Sequence, residues 1–421
     1  MDFSSKKRVA TALSHKSPDK VPVDFGGTGV TGIHVSCVEK LRKHYGLEQH
    51  PVKISECFQC LGEIEEDLAK VLGSDTANVF GRYNSFGVKN ENWKPWTTPW
   101  GQDVLIPGDF NLTKDDNGNI YTYPQGDTSV RPSGKMPASS YFFDALIRGE
   151  ELAEDDEDLK VSDNTEEFTL LSDEDLDEIE KSVNSAYNTG RSVVKSFGQG
   201  GLGDIAQVPG ISLKNPKGIR DITEWYISTI SRKDFIKEIF ESQMETAIKN
   251  LEKINNRCGD KIDIIMTCGT DFGTQRGTFC SVETFRDLYV PYYKKLNGWI
   301  KENTNWKIFK HCCGSVVTLI PDFIDCGFDI LNPVQCSAEG MDPLKLKTEF
   351  GKDITFWGAG VDTQKTLPFG TPEEVRKEVL SRCEIFGKDG GFVFNTIHNL
   401  QAGTPLENIV AMMDALKEFN A

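Results

Sequence analysis

The feature that most limits what this chain can fold into is an alternation. Short runs rich in β-branched and aromatic residues end in Gly or a polar residue, and stretches of helical period follow most of them. From about residue 190 the runs are SVVKSFGQGG (192–201), IDIIMTCGTDFG (262–273), WKIFKHCCG (306–314), FDILNPVQ (328–335), ITFWGAGVDT (354–363) and GFVFNTIHN (391–399). VPVDFGG (21–27) and TANVFG (76–81) precede them and bring the number to eight. Amphipathic stretches at 281–303, 371–386 and 404–419 stand between or after the later runs. The last two open on Thr-Pro, which fits Thr as N-cap and Pro at the first helical position. Eight strands alternating with helices predict an α/β chain folded as a (β/α)8 TIM barrel over residues 1–421. A Rossmann-like sheet gives a similar local rhythm, and closure at eight favours the barrel.

Residues 82–149 break the rhythm. Trp, Gly, Pro and the pair Asn117-Gly118 predict antiparallel hairpins, hence an inserted β subdomain. Residues 150–180 are strongly acidic and are expected to form a solvated linker and helix surface. Cys57 and Cys60 form a Cys-x-x-Cys pair inside a stretch whose period suggests a helix, so burial is expected rather than redox or metal work. GQGGLGD (198–204) lacks the Lys-Ser/Thr of a phosphate loop and reads as a tight turn after a strand. Trp93, Trp96 and Trp100 are expected in the core of the inserted subdomain.

A formal charge of −17 repels phosphate backbones and anionic lipid, which argues against nucleic acid and membrane as partners. The N-terminal stretch has no apolar core of signal-peptide length, which predicts a cytoplasmic protein. The 11 cysteines are then expected to be reduced thiols and candidate metal ligands.

In a barrel the chemistry gathers at the C-terminal strand ends. The polar residues at those ends include Gln199, Asp271, His311, Cys313, Gln335, Asp362 and His398. In an extended segment His311 and Cys313 share a face while Cys312 points away. A His-x-Cys pair alone is as well explained by a buried histidine beside a core thiol. The last run delivers His398 at the corresponding end, in a chain with only 6 His, and this favours a site. His311, Cys313 and His398 make a three-ligand zinc set with a fourth position open, as catalytic zinc requires. Asp271, Gln335 and Asp362 are the accompanying catalytic candidates, each with capping of a loop as the plainer alternative.

ALSHKSPDKVPV (12–23), GTDFGTQRGTFCSVETFRDLYVPYYKKL (269–296), HCCGSV (311–316), GAGVDTQKTLPFGTPEEV (358–375) and GTPLENIVAMMDAL (403–416) carry a resemblance. The chain resembles the uroporphyrinogen decarboxylase superfamily, in particular its zinc-dependent, corrinoid-linked methyltransferase branch of O-demethylase type. The resemblance implies a His-x-Cys metal motif at His311 and Cys313, with a third ligand at His398, where that branch is similar in placing a Cys. It implies zinc as cofactor and a corrinoid protein as partner, with a small methylated substrate.

Two departures refine this. The decarboxylases hold substrate carboxylates with Arg near the N-terminus, and residues 21–35 contain none. A His2Cys set leaves the metal about one positive charge that a HisCys2 set would cancel, which suits an oxygen leaving group. The expected activity is methyl transfer from an O-methyl donor, a methoxylated aromatic foremost, to the Co(I) of the corrinoid protein. Transfer to a thiol, tetrapyrrole decarboxylation and a non-catalytic binding module remain the alternatives. No Asp-x-His-x-x-Gly cobalamin motif occurs, so the corrinoid is expected on a separate protein. The oligomeric state stays open, a homodimer included.

Overall fold

The computed structural model describes residues 3–149 and 159–421. Residues 150–158 of the acidic stretch lie outside the described residues. Seven strands form one parallel sheet in the order Thr76–Val79, Ser192–Ser196, Ile264–Cys268, Lys307–His311, Ile330–Asn332, Thr355–Ala359, Phe392–Asn395. Alternate residues go to opposite faces, as the period of a strand requires. Val194, Ile264, Phe309, Ile330, Trp357 and Val393 pack together on one face with Val9 and Leu13 of the helix Ser5–Leu13. Their neighbours Val193, Ile265, Ile308, Leu331, Phe356 and Phe394 join the larger cluster shared with the surrounding helices. Burial on both faces explains why these runs read as continuously apolar.

The expected eighth strand, 21–27, is not one. It makes a single parallel bridge, Val23 to Phe394. Asp24 N–H donates to Phe394 O at 2.9 Å, and Asp75 N–H donates to Val23 O at 2.7 Å. The segment thus touches both outer strands of the sheet without a ladder. Pro22 has no N–H to donate and Gly26 turns the chain at φ +85°, so a ladder cannot continue. Side chains strengthen the seam instead. Asp24 accepts from Trp357 Nε1–H at 2.8 Å and from Thr76 Oγ1–H at 2.5 Å.

Other expectations are corrected locally. Cys57 and Cys60 lie in no helix; residues 57–60 are the turn of a hairpin between Val52–Glu56 and Leu61–Gly62, with Cys60 at φ +54°. Thr371 caps the helix Pro372–Phe386 in a capping box with Glu374, but Thr404 does not cap Leu406–Phe419. Its hydroxyl donates to Gln401 O at 2.8 Å, which leaves Pro405 at the cap. The stretch 281–303 is two helices, Val282–Leu288 and Val290–Asn303, broken before Pro291, whose missing N–H interrupts the ladder.

Outside the parallel sheet are two four-stranded sheets. One joins Leu61–Gly62, Val52–Glu56, Asp103–Ile106 and Lys94–Thr97; the other is an antiparallel run from Leu112–Lys114 to Asp144–Ala145. Trp96 and Trp100 pack against the main core, while Trp93 lies under Lys53 Nζ at 5.7 Å. The acidic helix Asp173–Asn188 is tied down by Arg82, which reaches Asp175 at 2.7 Å and Glu174 at 3.0 Å. No helix among the described residues is long and apolar enough to cross a membrane.

Arg8 fixes the first helix to the seam, reaching Asp19 at 2.8 Å and Asp75 at 2.6 Å. The hydrogen bond from Arg8 holds the Asp19 carboxyl down at about 2. A carboxyl depressed in the folded state contributes stability above its unfolded value of about 4 and loses it as pH falls through the folded value. Stability measured by urea unfolding is therefore expected to drop between about pH 4 and about pH 2. Arg8→Ala should lower stability at neutral pH and flatten that acid limb; an unaltered limb would refute the assignment.

Candidate functional site

His311 is the last residue of its strand and is buried. The sheet register places it opposite Asn332 on the next strand. His311 Nδ1 lies 2.6 Å from Asn332 Oδ1, and Asn332 Nδ2 donates to Trp357 O at 2.9 Å. The second bond fixes which end of the amide faces His311, so the ring proton sits on Nδ1 and the Nε2 lone pair points away from the sheet. Nε2 stands 3.4 Å from Cys313 Sγ. Cys313 is placed by Asp271, whose Oδ1 accepts its backbone N–H at 2.6 Å.

That contact needs two loops to meet backbone to backbone. Gly314 has φ +86°, and a Cβ on it would come 2.4 Å from the carbonyl carbon of Gly273; a Cβ on Gly273 would come 2.5 Å from Cys313 O. Only glycine fits at either position.

His398 enters from the other side, at φ +69°. Its ring centroid lies 5.2 Å from that of His311, and Asn399 N–H donates to its Nδ1 at 2.8 Å. Asn399 pins this turn: its Oδ1 accepts Gly32 N–H at 2.6 Å, and its Nδ2 donates to Gly29 O at 3.0 Å and Gln59 Oε1 at 2.9 Å.

One donor atom each from His311, Cys313 and His398 lies within 4.8 Å of the others. Ligands of one tetrahedral zinc at about 2.0–2.3 Å stand roughly 3.3–3.8 Å apart, so a small inward shift suffices. Burial, then His311, pushes His398 down to about 3, which keeps the ring neutral with its one lone pair on Nδ1, where Asn399 N–H donates. Burial and the Asp271 carboxylate push the Cys313 thiol well above its ordinary range, so a thiolate here needs a cation beside it. A cation at the cluster would take the His398 lone pair in competition with Asn399 N–H or after the ring turns over. The donor set fits a zinc ion.

Gln335 Oε1 accepts Gly314 N–H at 2.9 Å, one residue beyond Cys313. Asp362 uses Oδ1 to accept the N–H groups of Gln364 at 2.6 Å and Lys365 at 3.0 Å, in its own loop. Asp271 Oδ1 lies 3.9 Å from His311 Nε2. Sequence reasoning missed Asn332, whose signal was its register opposite His311. It also missed Tyr226, pushed up to about 12 by burial and then by Asp271 and Asp204. Tyr226 stacks on the half-exposed Phe279 with centroids 5.5 Å apart.

The family model described as Uroporphyrinogen decarboxylase (URO-D) matches residues 217–419. Those residues are similar to that family. They include Asp271, His311, Cys313 and His398. The chain is 30% identical over 138 residues to a methylated-thiol–coenzyme M methyltransferase of Methanosarcina mazei, covering 33% of this chain and 34% of that one. It is 23% identical over 197 residues to a uroporphyrinogen decarboxylase of Actinobacillus succinogenes, covering 44% of this chain and 52% of that one. The chain thus spans about a third to a half of these curated relatives. A solved structure, a methyltransferase from Methanosarcina mazei, matches over 100% of both chains with a TM-score of 0.57 and 15% identity, which shows the shared fold.

Asn332→Leu removes the acceptor that orients His311. Divalent-metal affinity, followed by Co(II) absorption or competition with a chelator, should fall about 10- to 100-fold. Unchanged affinity would show that His311 needs no such orientation.

Proposed function

We propose that the chain transfers a methyl group from a small O-methyl donor, foremost a methoxylated aromatic, to the Co(I) of a corrinoid carried by a partner protein. In this reading a zinc ion is held by His311, Cys313 and His398. The observation that carries it is the convergence of these three donors, with His311 Nε2 directed at Cys313 Sγ by Asn332. Zinc in that position supplies a Lewis acid for the charge that develops on the departing oxygen.

The chain's own residues do the rest. Asp271 holds Cys313 in place by accepting its N–H and stands 3.9 Å from His311 Nε2. Gln335 and Asp362 hold the loops after Cys313 and after the strand Thr355–Ala359. Tyr226 and Phe279 offer a stacked aromatic pair, which suits an aryl donor. Holding donor and cobalt in line and stabilising the leaving charge are the two contributions a protein makes to such a displacement. Transfer from the corrinoid to a thiol is the second reading, favoured by the similarity to the methylated-thiol enzyme.

The deciding experiment mixes the purified chain with zinc, a Co(I) corrinoid protein and separate methoxyarenes, methanol, methylamines and methylthiols. Methyl-cobalt spectra with methoxyarenes alone are expected. Methylation from sulfur donors only would move the assignment to the second reading, and turnover of a tetrapyrrole without corrinoid would move it to decarboxylation.

Metal analysis should give roughly one zinc per chain, lost in Cys313→Ser and His398→Ala while the fold persists. His398→Cys should keep zinc but slow ether demethylation, because a second thiolate lowers the charge acting on oxygen. Wild-type demethylation by a zinc-loaded His398→Cys chain would remove that account of the substitution.

A further inference from the structure

The loop 198–204 ends on a carboxyl that the proposed site leaves unused. Asp204 is 9% exposed. Its Oδ1 accepts Ala206 N–H at 2.9 Å, and among the described residues its Oδ2 has no hydrogen-bond partner. Oδ2 lies against Gly269, where a Cβ would come within 3.2 Å of it. Gly269 stands two residues before Asp271, the residue that fixes Cys313. Asp271 and Asp204 both add to the upward shift of Tyr226. Burial and then the neighbouring Asp271 favour the neutral acid at Asp204, against Ala206 N–H, Lys310 and His311.

Behind Asp204 is a cavity of about 20 Å³ lined by Gly203, Asp204, Gln207 and Trp225, with Glu167 and Arg220 also in its wall. Trp225 Nε1–H and Gln207 Oε1 are buried in it with no partner. A polar cavity of this size holds one water, for which about 10–15 Å³ suffices, and the residues of both orphan groups line it. Arg220 and Glu167, paired at 2.7 Å, stand in the same wall.

The proposed reaction needs a proton that its metal ligands cannot supply. When R–O–CH3 meets Co(I), the cobalt electron pair forms the Co–C bond, the C–O bond breaks, and R–O⁻ departs; one proton is required to give R–OH. Cys313 has given up its proton on binding metal, and His398 carries none to spare. We propose that Asp204 delivers this proton to the departing oxygen and that a water held by Trp225 and Gln207 returns one to it. The inference rests on the methyl-transfer reading. In the thiol direction, R–SH + CH3–Co(III) gives R–S–CH3, Co(I) and one proton, and the same pair would accept that proton.

Two measurements test this. A high-resolution crystal structure of the wild-type chain should show one ordered water within hydrogen-bond distance of Trp225 Nε1 and Gln207 Oε1, and Trp225→Phe should lose it. A dry cavity overturns the proposal whatever the activity.

Single-turnover cobalt methylation by Asp204→Asn, with zinc content and fold unchanged, should then be compared across methyl ethers of graded leaving group. The rate should fall by about 100-fold or more with poorly acidic alcohols and little with nitrophenyl ethers. A loss that is uniform across the series, or no loss, assigns Asp204 a structural part only and overturns the proton role. A wild-type chain that methylates no cobalt from any donor refutes the methyl-transfer reading and this proton role together, while the water density still decides the cavity site.

Discussion

The candidate site depends on how tightly the parallel sheet curls. His311 ends the strand Lys307–His311, and His398 follows Phe392–Asn395, three positions away in strand order. Neighbouring strands are roughly 4.8 Å apart, so a flat sheet would hold the two rings about 14 Å from each other. Their centroids are 5.2 Å apart. Curvature supplies the difference, and the segment 21–25 holds it by touching both outer strands. Asp24 is central to that seam. Its buried carboxyl accepts from Trp357, Thr76 and Gly27, so it substitutes side-chain bonds for the ladder that Pro22 cannot make. Because a wholly buried carboxyl with a missing partner is costly, this arrangement fixes the seam in one form.

The sequence rhythm made seven parallel strands legible because each run is short, rich in β-branched and aromatic residues on both faces, and ended by Gly or a polar residue. It failed at 21–27 for a reason equally visible in the letters, since a Pro and paired glycines interrupt backbone pairing. The Cys57–Cys60 segment was misread because its apolar spacing suits either a helix or a hairpin, and only cross-strand pairing distinguishes them. Thr371 and Thr404 stand in the same local motif and behave differently. The first finds Glu374 three residues on to complete a box, whereas the second has Glu407 at that offset but turns its hydroxyl back to Gln401 O.

At the site, the residues with distinctive chemistry were legible and those that orient them were not. His-x-Cys on a strand end places two donors on one face by geometry alone. Asn332, by contrast, has no chemistry that marks it in one dimension; its importance comes from the register that sets it opposite His311 and from the Trp357 carbonyl that fixes its amide. Asp204 was hidden for a related reason. In a glycine-rich turn a terminal Asp reads as a cap, and it does accept Ala206 N–H, but its second oxygen and the orphan groups of Trp225 and Gln207 emerge only when the loop folds onto Gly269.

The strands outside the parallel sheet also reach the site, and this bears on how specificity arises. Glu56 is half-buried at the hairpin turn and accepts the N–H groups of Phe58 and Gln59 at 2.9 and 2.7 Å, which fixes the turn. Gln59 then accepts from Asn399, the residue after His398. A rigid hairpin thereby braces the backbone of one donor, while Asp271 and the Gly273–Gly314 contact brace another. His398 sits at a positive φ that is unfavourable for a side-chain-bearing residue, and such a conformation persists only where its surroundings determine it. The hairpin, Asn399 and the 26–33 segment are those surroundings. Changes in the hairpin can therefore move His398 relative to His311 without touching either ring, so the extra sheets act on the spacing of the three candidate donors.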